Sequence, residues 1–494
     1  MMRLSTPQDA ADWLRERVTG TLSADSRKIA SGDGFIAWPG AATDARHYVS
    51  KALAAGAQAC IVEYDGVDDY AFSDSRIATF SGLRAAAAPI ASAYFQEPSK
   101  QLQVIAITGT NGKTSTAWWL SQAISKLERK CGLVGTLGIG VPEAMVFNGL
   151  TTPDPVLLQQ QFRHFVDSGF VACAVEASSI GIAEQRLDAT QIQVAVFTNF
   201  TQDHLDYHDT MQAYWTAKES LFKWTGLKSA VLNIDDPKGL ALSSSLANAG
   251  LDIWTISVAR PARLEAQNIQ LGAQPFGFDV LEGNERCRVS APSTGLYNVS
   301  NLLCVIAAMR ALGISLQKAV FACNALTSVP GRLDTLTRDG QPLVVIDYAH
   351  TPDALEKVLR ALRPVAQGRR GQLWCVFGCG GGRDATKRPL MATIAQKYAD
   401  QIVVTSDNPR NESSALIIDQ ILAGLTQADS VHEQVDRALA ISQTLALARP
   451  GDVILLAVKG HESYQEIQGV QHSFSDKAHA QEALRARMNE EIVP

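Results

Sequence analysis

The chain has 494 residues, a net charge of −6 at pH 7, 46 % hydrophobic residues and 19 % charged residues. That is a globular composition, long enough for about three domains at roughly 150 residues each. It lacks the basic runs of a nucleic-acid surface and any apolar stretch long enough to span a bilayer. Eight scattered cysteines, without two closely spaced pairs, predict reduced thiols rather than a zinc site. The opening residues Met1 to Pro7 lack an apolar signal core, which predicts a cytoplasmic protein.

Short apolar runs alternate with helix-length amphipathic segments along almost the whole chain. This pattern predicts an α/β protein of parallel sheets throughout, each Rossmann-like or doubly wound. Three units follow. The first, residues 1–100, holds a helix around Asp9 to Val18, strands at Gly34 to Trp38 and Cys60 to Glu63, a helix from Val49 and an alanine-rich helix; Pro98-Ser99-Lys100 reads as a linker. The second, residues 101–330, holds strands near Val171 to Glu176, Val194 to Asn199 and Ala230 to Asn233. The third, residues 331–494, holds strands Leu343 to Asp347, Leu373 to Phe377, Ile402 to Thr405 and Val453 to Ala457.

The second unit opens with an apolar run ending at Thr108, the tight loop Gly109-Thr110-Asn111-Gly112-Lys113-Thr114-Ser115, and a helix. Glycines let backbone amides approach phosphate oxygens, Lys113 supplies charge, and Thr114 offers a hydroxyl to Mg²⁺. Ile107 stands where the usual phosphate loop has its first glycine, so a variant loop is expected. Glu176 follows a strand and emerges at the carboxyl edge of the sheet, as a metal ligand or as a helix-capping carboxylate. The segment Thr201 to His208 is dense in imidazole and carboxylate, and fits either a cation loop or a solvated one.

The ordered set of motifs resembles the Mur ligase family over essentially the whole chain. It comprises Asp25-Ser26-Arg27, the phosphate loop, Thr151-Thr152-Pro153-Asp154, Glu176-Ala177-Ser178-Ser179, Asp203-His204-Leu205-Asp206 and Tyr214 to Lys218. It continues through Asn298, Pro330-Gly331-Arg332, Asp347 to Asp353, Gly378 to Asp384, Asp407-Asn408-Pro409-Arg410 and Lys459-Gly460-His461-Glu462. The resemblance implies ATP-dependent amide-bond synthesis on UDP-MurNAc-L-Ala-D-Glu through an acyl phosphate. Gly109 to Ser115, Asn298, Arg332 and Asp347 would bind ATP. Thr114, Glu176, His204 and a carbamylated Lys218 would hold Mg²⁺, and Lys113, Glu176, His204 and Lys218 would form the catalytic set. Without the family, Lys218 reads as a solvent-facing helix lysine. Ser26, Thr151, Thr152, Ser178 and Arg186 would contact the UDP-sugar peptide.

The incoming amino acid is read from Arg383, Asp407, Asn408, Arg410 and Glu462. An arginine at 410 grips a distal carboxylate in two places and repels a distal ammonium, which favours meso-diaminopimelate over lysine. Without the family, the same residues read as a turn with an exposed arginine. A lysine-adding member, a folylpolyglutamate synthase and a nucleotide-binding module without turnover are the competing readings; a monomer is expected. The chain departs from the family at Ile180, Glu184, Ala41-Ala42 and Val458, the last standing for a family glycine beside the amino-acid site. Glu184 is expected to need pairing by Arg186 beside the pyrophosphate, and the residues after Arg410 leave the next helix start open.

Overall fold

The computed structural model describes residues 1–40, 43–270, 276–291, 295–426 and 430–491; Ala41-Ala42 lie outside them. Three sheets follow one another along the chain. The first has five parallel strands in the spatial order Met2–Leu4, Ile77–Phe80, Ala59–Glu63, Gly34–Ala37 and Leu22–Ser23. Apolar clusters cover both of its faces, one around Trp13, Ile36 and Ile61 and the other around Phe35, Val49 and Val62. Burial on both faces is why its strands read as continuous apolar runs rather than alternating ones.

The second sheet has eleven strands. Its parallel centre carries Gln103–Thr108 between Ala172–Glu176 and Ile192–Phe197, with Ser229–Asn233 and Asp252–Ser257 beyond. The helices Lys113–Ser125 and Leu296–Ala311 pack on one face, and residues such as Phe162, Trp215 and Phe222 on the other. Both edges of the sheet correct the expectation of parallel pairing throughout. Cys131–Gly135, Gly138–Val141 and Ala144–Val146 run antiparallel on one side, as do Leu264–Gln270, Phe276–Glu282 and Glu285–Ala291 on the other. Short connections between successive strands favour this pairing, although Asp252–Ser257 and Leu264–Gln270, joined only by residues 258–263, pair in parallel.

The third sheet has six strands, with Leu343–Asp347, Val453–Ala457, Leu373–Phe377 and Gln401–Val404 parallel and adjacent, and Asp334–Leu336 antiparallel at one edge. It too is covered on both faces. A separate antiparallel hairpin, Tyr464–Ile467 with Val470–Ser473, leans on its carboxyl edge. The predicted linker at Pro98 is a single packed 3₁₀ turn, Pro98–Gln101, in which Ser99 is buried and accepts from the Gln191 amide at 3.0 Å. The eight cysteines are unpaired. Among the described residues no helix is long and apolar enough to cross a membrane.

Candidate active site

The strand Gln103–Thr108 delivers the phosphate loop to the carboxyl edge of the central sheet. Gly109 and Gly112 have φ of 141° and 86°, in the region open to glycine, and Gly112 caps the helix that starts at Lys113. The loop amides thus surround a helix N-terminus, a ready anion site. Lys113 Nζ lies 2.9 Å from the Gly109 carbonyl and 2.8 Å from that of Thr110. Its amine is held below the usual lysine range by loss of water, which Glu176 and Asp203 oppose.

Glu176 ends its strand, 1 % exposed. Its carboxylate accepts from the Thr114 hydroxyl at 2.9 Å, the Thr136 amide at 2.8 Å and the Thr136 hydroxyl at 3.2 Å. All three donors are neutral, so a buried anion sits beside a hydroxyl oxygen with lone pairs to spare. Oxygen donors of this kind suit a hard divalent cation. Thr136 had no signal in the sequence; it is placed by the turn between Cys131–Gly135 and Gly138–Val141.

Lys218 overturns the solvent-facing reading. It lies in the helix Met211–Glu219, 1 % exposed, with Nζ 2.9 Å from the Gly109 carbonyl and 4.3 Å over the Tyr214 ring. Burial and the neighbouring Lys113 hold its ammonium well below the usual range, which favours the neutral, nucleophilic amine. His204 sits at φ 54° with Nε2 3.5 Å from Asp203, and burial pushes its pKa down to about 4. Asp203 also faces His350 at 3.4 Å. Burial alone would raise the Asp203 carboxyl, but His350, His204 and Lys387 hold it well below the usual carboxylate range.

The third sheet closes over this edge. Arg332 donates to Thr114 Oγ1 at 3.2 Å and lies 4.5 Å over the Tyr348 ring. Asp353 accepts from Asn111 Nδ2 at 2.9 Å. Asp347, buried, accepts from the Leu333 amide at 2.8 Å, and burial raises its pKa to about 6 against the pull of Arg332. Between the two sheets lies a cleft of about 660 Å³, lined by Asn111, Gly112, Thr114, Ser115, Asn298, Arg332 and Asp347 among others. That is the size of a nucleotide site, typically roughly 300–1,000 Å³.

A second cavity of about 120 Å³ adjoins the Asp203–His204 segment. It brings together Arg383, Asp407, Asn408, Arg410, Val458 and Glu462, so the exposed-turn reading of the 407–410 segment fails. Asn408 donates to Glu462 at 2.8 Å, and fully buried Lys459 donates to both residues at 3.0 and 3.1 Å. One oxygen of the buried Asp407 carboxylate has no hydrogen-bond donor. Arg410 is fixed by Gly381 O at 2.7 Å and Glu466 at 3.3 Å, while Arg383 lies 3.4 Å from Asp206. The helix after this turn is Ser414–Leu422, and Glu412 before it pairs with Arg388 at 2.9 Å.

A third group faces the first sheet. Thr152 Oγ1 lies 2.7 Å from the Glu176 carbonyl and 2.9 Å from Ser178 Oγ; Thr151 lies 3.0 Å from Thr136, and Arg186 donates to the Thr152 carbonyl at 3.0 Å. Ser26 lies in the turn after Leu22–Ser23 and is half-buried. Glu184 is not paired by Arg186. It pairs with Arg84 of the first unit at 2.6 Å and accepts a hydrogen bond from the Tyr207 hydroxyl, so the added carboxylate has its own partners.

Comparison with known proteins agrees with this geometry. The Mur ligase middle domain matches residues 107–309, and the Mur ligase glutamate ligase domain matches residues 331–460. The chain is 57 % identical over 491 residues to the UDP-N-acetylmuramoyl-L-alanyl-D-glutamate–2,6-diaminopimelate ligase of Acidovorax sp. (strain JS42), covering 98 % of both chains. It is 42 % identical over 472 residues to the enzyme of the same name in Pseudomonas aeruginosa, covering 96 % of both. A solved structure of a ligase so named superposes with a TM-score of 0.64 at 34 % identity, covering 95 % of both chains. The MurF ligase of Thermotoga maritima in complex with ADP, at 17 % identity and a TM-score of 0.69 over 97 % of this chain and 99 % of that one, shares the fold.

Proposed function

The chain belongs to the Mur ligase family, and from that premise we propose that it joins meso-diaminopimelate to UDP-MurNAc-L-Ala-D-Glu at the expense of ATP. In this reading residues 1–100 bind the UDP-sugar, 101–330 bind ATP and 331–494 bind the amino acid. The protein acts as a cytoplasmic monomer in cell-wall precursor synthesis.

A carboxylate is a poor electrophile, and phosphoryl transfer onto it needs charge stabilisation and alignment more than covalent help from the protein. The loop amides from Thr110 to Ser115 cradle the phosphates, and Lys113 turns from its two backbone carbonyls to the transferring group. Arg332 approaches the same oxygens from the third unit, while Asn298 and Asp347 hold the nucleoside. Thr114, Glu176, His204 and the carbamate form of Lys218 would hold Mg²⁺, which supplies, when bound, charge neutralisation of the phosphate oxygens. Carbamylation fits the burial of Lys218: a neutral amine takes up CO₂, loses a proton and becomes an anionic oxygen donor, whereas an ammonium would repel the cation.

Thr151, Thr152, Ser178, Arg186 and Ser26 position the UDP-sugar peptide so that its D-glutamyl side chain reaches this centre. The acyl phosphate is then attacked by the amine of diaminopimelate held in the adjoining pocket, and phosphate leaves. Arg410 and Arg383 take the distal carboxylate, while Asp407, Asn408 and Glu462 take the distal ammonium. The reading is carried by one juxtaposition: a nucleotide-sized cleft at the phosphate loop runs beside a small pocket lined by two arginines, Arg383 and Arg410, and four carboxylates, Asp203, Asp206, Asp407 and Glu462.

The test is phosphate release with ATP, Mg²⁺ and UDP-MurNAc-L-Ala-D-Glu, with meso-diaminopimelate and L-lysine offered in parallel. Release with diaminopimelate alone is expected. Release with lysine alone keeps a ligase and overturns the pocket assignment; silence with both overturns turnover itself.

A further inference from the structure

Behind the amino-acid pocket lies a charged pair that the proposed chemistry does not use. Arg437, the first residue of the helix Arg437–Leu447, and Asp476, the first of Asp476–Glu491, are both fully enclosed. Their fork is bidentate, with Nε and Nη2 of Arg437 each 2.7 Å from a carboxylate oxygen. The rest of the guanidinium is spent on backbone: Nη1 donates to the Ser406 carbonyl at 3.2 Å and Nη2 to the Ala457 carbonyl at 2.8 Å.

Those two carbonyls are not arbitrary. Ser406 immediately precedes Asp407, Ala457 immediately precedes Val458, and both followers line the 120 Å³ cavity. The peptide after Ala457 is also the strained one. Val458 has φ of 88° and is 6 % exposed, a conformation that a β-branched residue leaves unless its surroundings over-determine it. The next residue, Lys459, is the fully buried lysine that ties Asn408 to Glu462.

We propose that the buried Arg437–Asp476 pair is a positioning clamp for the amino-acid pocket. It fixes the two strand-end turns that carry Asp407-Asn408 and Val458-Lys459, and it holds Val458 in a backbone conformation that valine on its own would abandon. Arg437 touches no substrate in this scheme; it acts through the two carbonyls. Removal of the clamp lets the Val458 turn relax, which moves Lys459 and, through it, Asn408 and Glu462. The residues of these bonds do not line the nucleotide cleft; a link to them runs through Tyr348, which lines the cleft and donates to Glu462 at 3.3 Å.

The kinetic readout rests on the ligase reading given above; the stability readout does not. Charge removal on one side leaves the other buried and unpaired, so the primary variant replaces both, Arg437→Met with Asp476→Leu, a kind of exchange that buried pairs often tolerate. The clamp predicts a folded protein whose KM for the amino acid rises about tenfold or more, since misplacement of about 1 Å is costly at a site, while the KM for ATP stays within about twofold. It also predicts rescue. Glycine adopts positive φ without strain, so adding Val458→Gly to the paired variant should bring that KM back to within about threefold of Val458→Gly alone.

A folded paired variant with unchanged amino-acid KM overturns the clamp, and so does a rise of the same factor with and without Val458→Gly. Should the paired replacement not fold, the measurement is made on Arg437→Lys. There, Val458→Gly should raise Tm less than it does in the unsubstituted protein, where the intact clamp still holds the strain that glycine relieves, and equal shifts refute the coupling. Loss of turnover by the unsubstituted chain with every amino acid would instead count against the ligase reading, and the Tm comparison would still decide the clamp.

Discussion

Arg410→Lys is the sharpest probe of which amino acid enters. The guanidinium is already engaged on one side, with Nη1 on the Gly381 carbonyl at 2.7 Å and Nε on Glu466 at 3.3 Å. Its backbone is pinned at φ 52°, with the amide donating to the Glu466 carbonyl at 3.0 Å. The remaining N–H groups of the fork are what a substrate carboxylate in the cavity can use. A lysine ammonium has one nitrogen, which cannot hold Gly381 and grip the carboxylate in two places. One charge-assisted hydrogen bond contributes about 1.5–3 kcal/mol. Loss of one such bond at about 2 kcal/mol lowers kcat/KM for diaminopimelate about thirtyfold. The KM for ATP should stay within about twofold, because no bond of Arg410 reaches the nucleotide cleft. The assay is steady-state phosphate release with each substrate varied in turn, and with L-lysine as competitor. Equal losses toward diaminopimelate and ATP would refute the argument, as would efficient use of lysine by the unsubstituted chain.

Three more predictions follow from the same geometry. Lys218 is buried and forms no ion pair with a carboxylate among the described residues; equilibration with ¹³C-bicarbonate should give a carbamate carbonyl resonance that Lys218→Ala abolishes, and its absence from the unsubstituted protein would show a free amine. Asp44 is gripped by Arg46 at 2.7 Å, and that hydrogen bond holds its pKa near 2. A depressed carboxyl contributes stability above its unfolded pKa of about 3.9 and loses it as pH falls toward the folded value. Asp44→Asn should therefore lower stability by about 2 kcal/mol at pH 7 and by almost nothing near pH 2, measured by denaturant titration; a cost independent of pH would contradict the charge argument. Asp353→Ala removes the bond to Asn111 that joins the third unit to the phosphate loop, and at about 1.5 kcal/mol or more for a bond to a carboxylate should raise the KM for ATP about tenfold or more with little change for the amino acid.

The parts of the site legible in the sequence are those whose chemistry is local. A phosphate loop needs glycines at positive φ, a lysine and a hydroxyl within a few residues of one another, so strand, loop and helix could be read directly at Gly109 to Thr114. The parallel strands were legible for a related reason, since burial on both faces leaves an uninterrupted apolar run, and Leu343–Asp347, Leu373–Phe377 and Val453–Ala457 fall where expected. The antiparallel edges were not, because the composition of a strand does not state which way its neighbour runs.

Long-range burial hid the rest. Lys218 sits on a helix whose pattern gives no hint that its lysine faces inward, and only the approach of Gly109 to Nζ shows it. In the sequence Glu184 conflicts with the pyrophosphate unless Arg186, two residues on, pairs with it; the partner in the fold is Arg84, 100 residues upstream. Val458 is the most instructive departure. At the level of sequence, valine for glycine is a gain of volume in a pocket wall. In the structure it is also a backbone problem, since Val458 stands at a positive φ that glycine adopts freely and valine does not. A substitution of that kind persists only where neighbouring bonds hold the turn against its own preference, and one such bond runs from Arg437 to the Ala457 carbonyl.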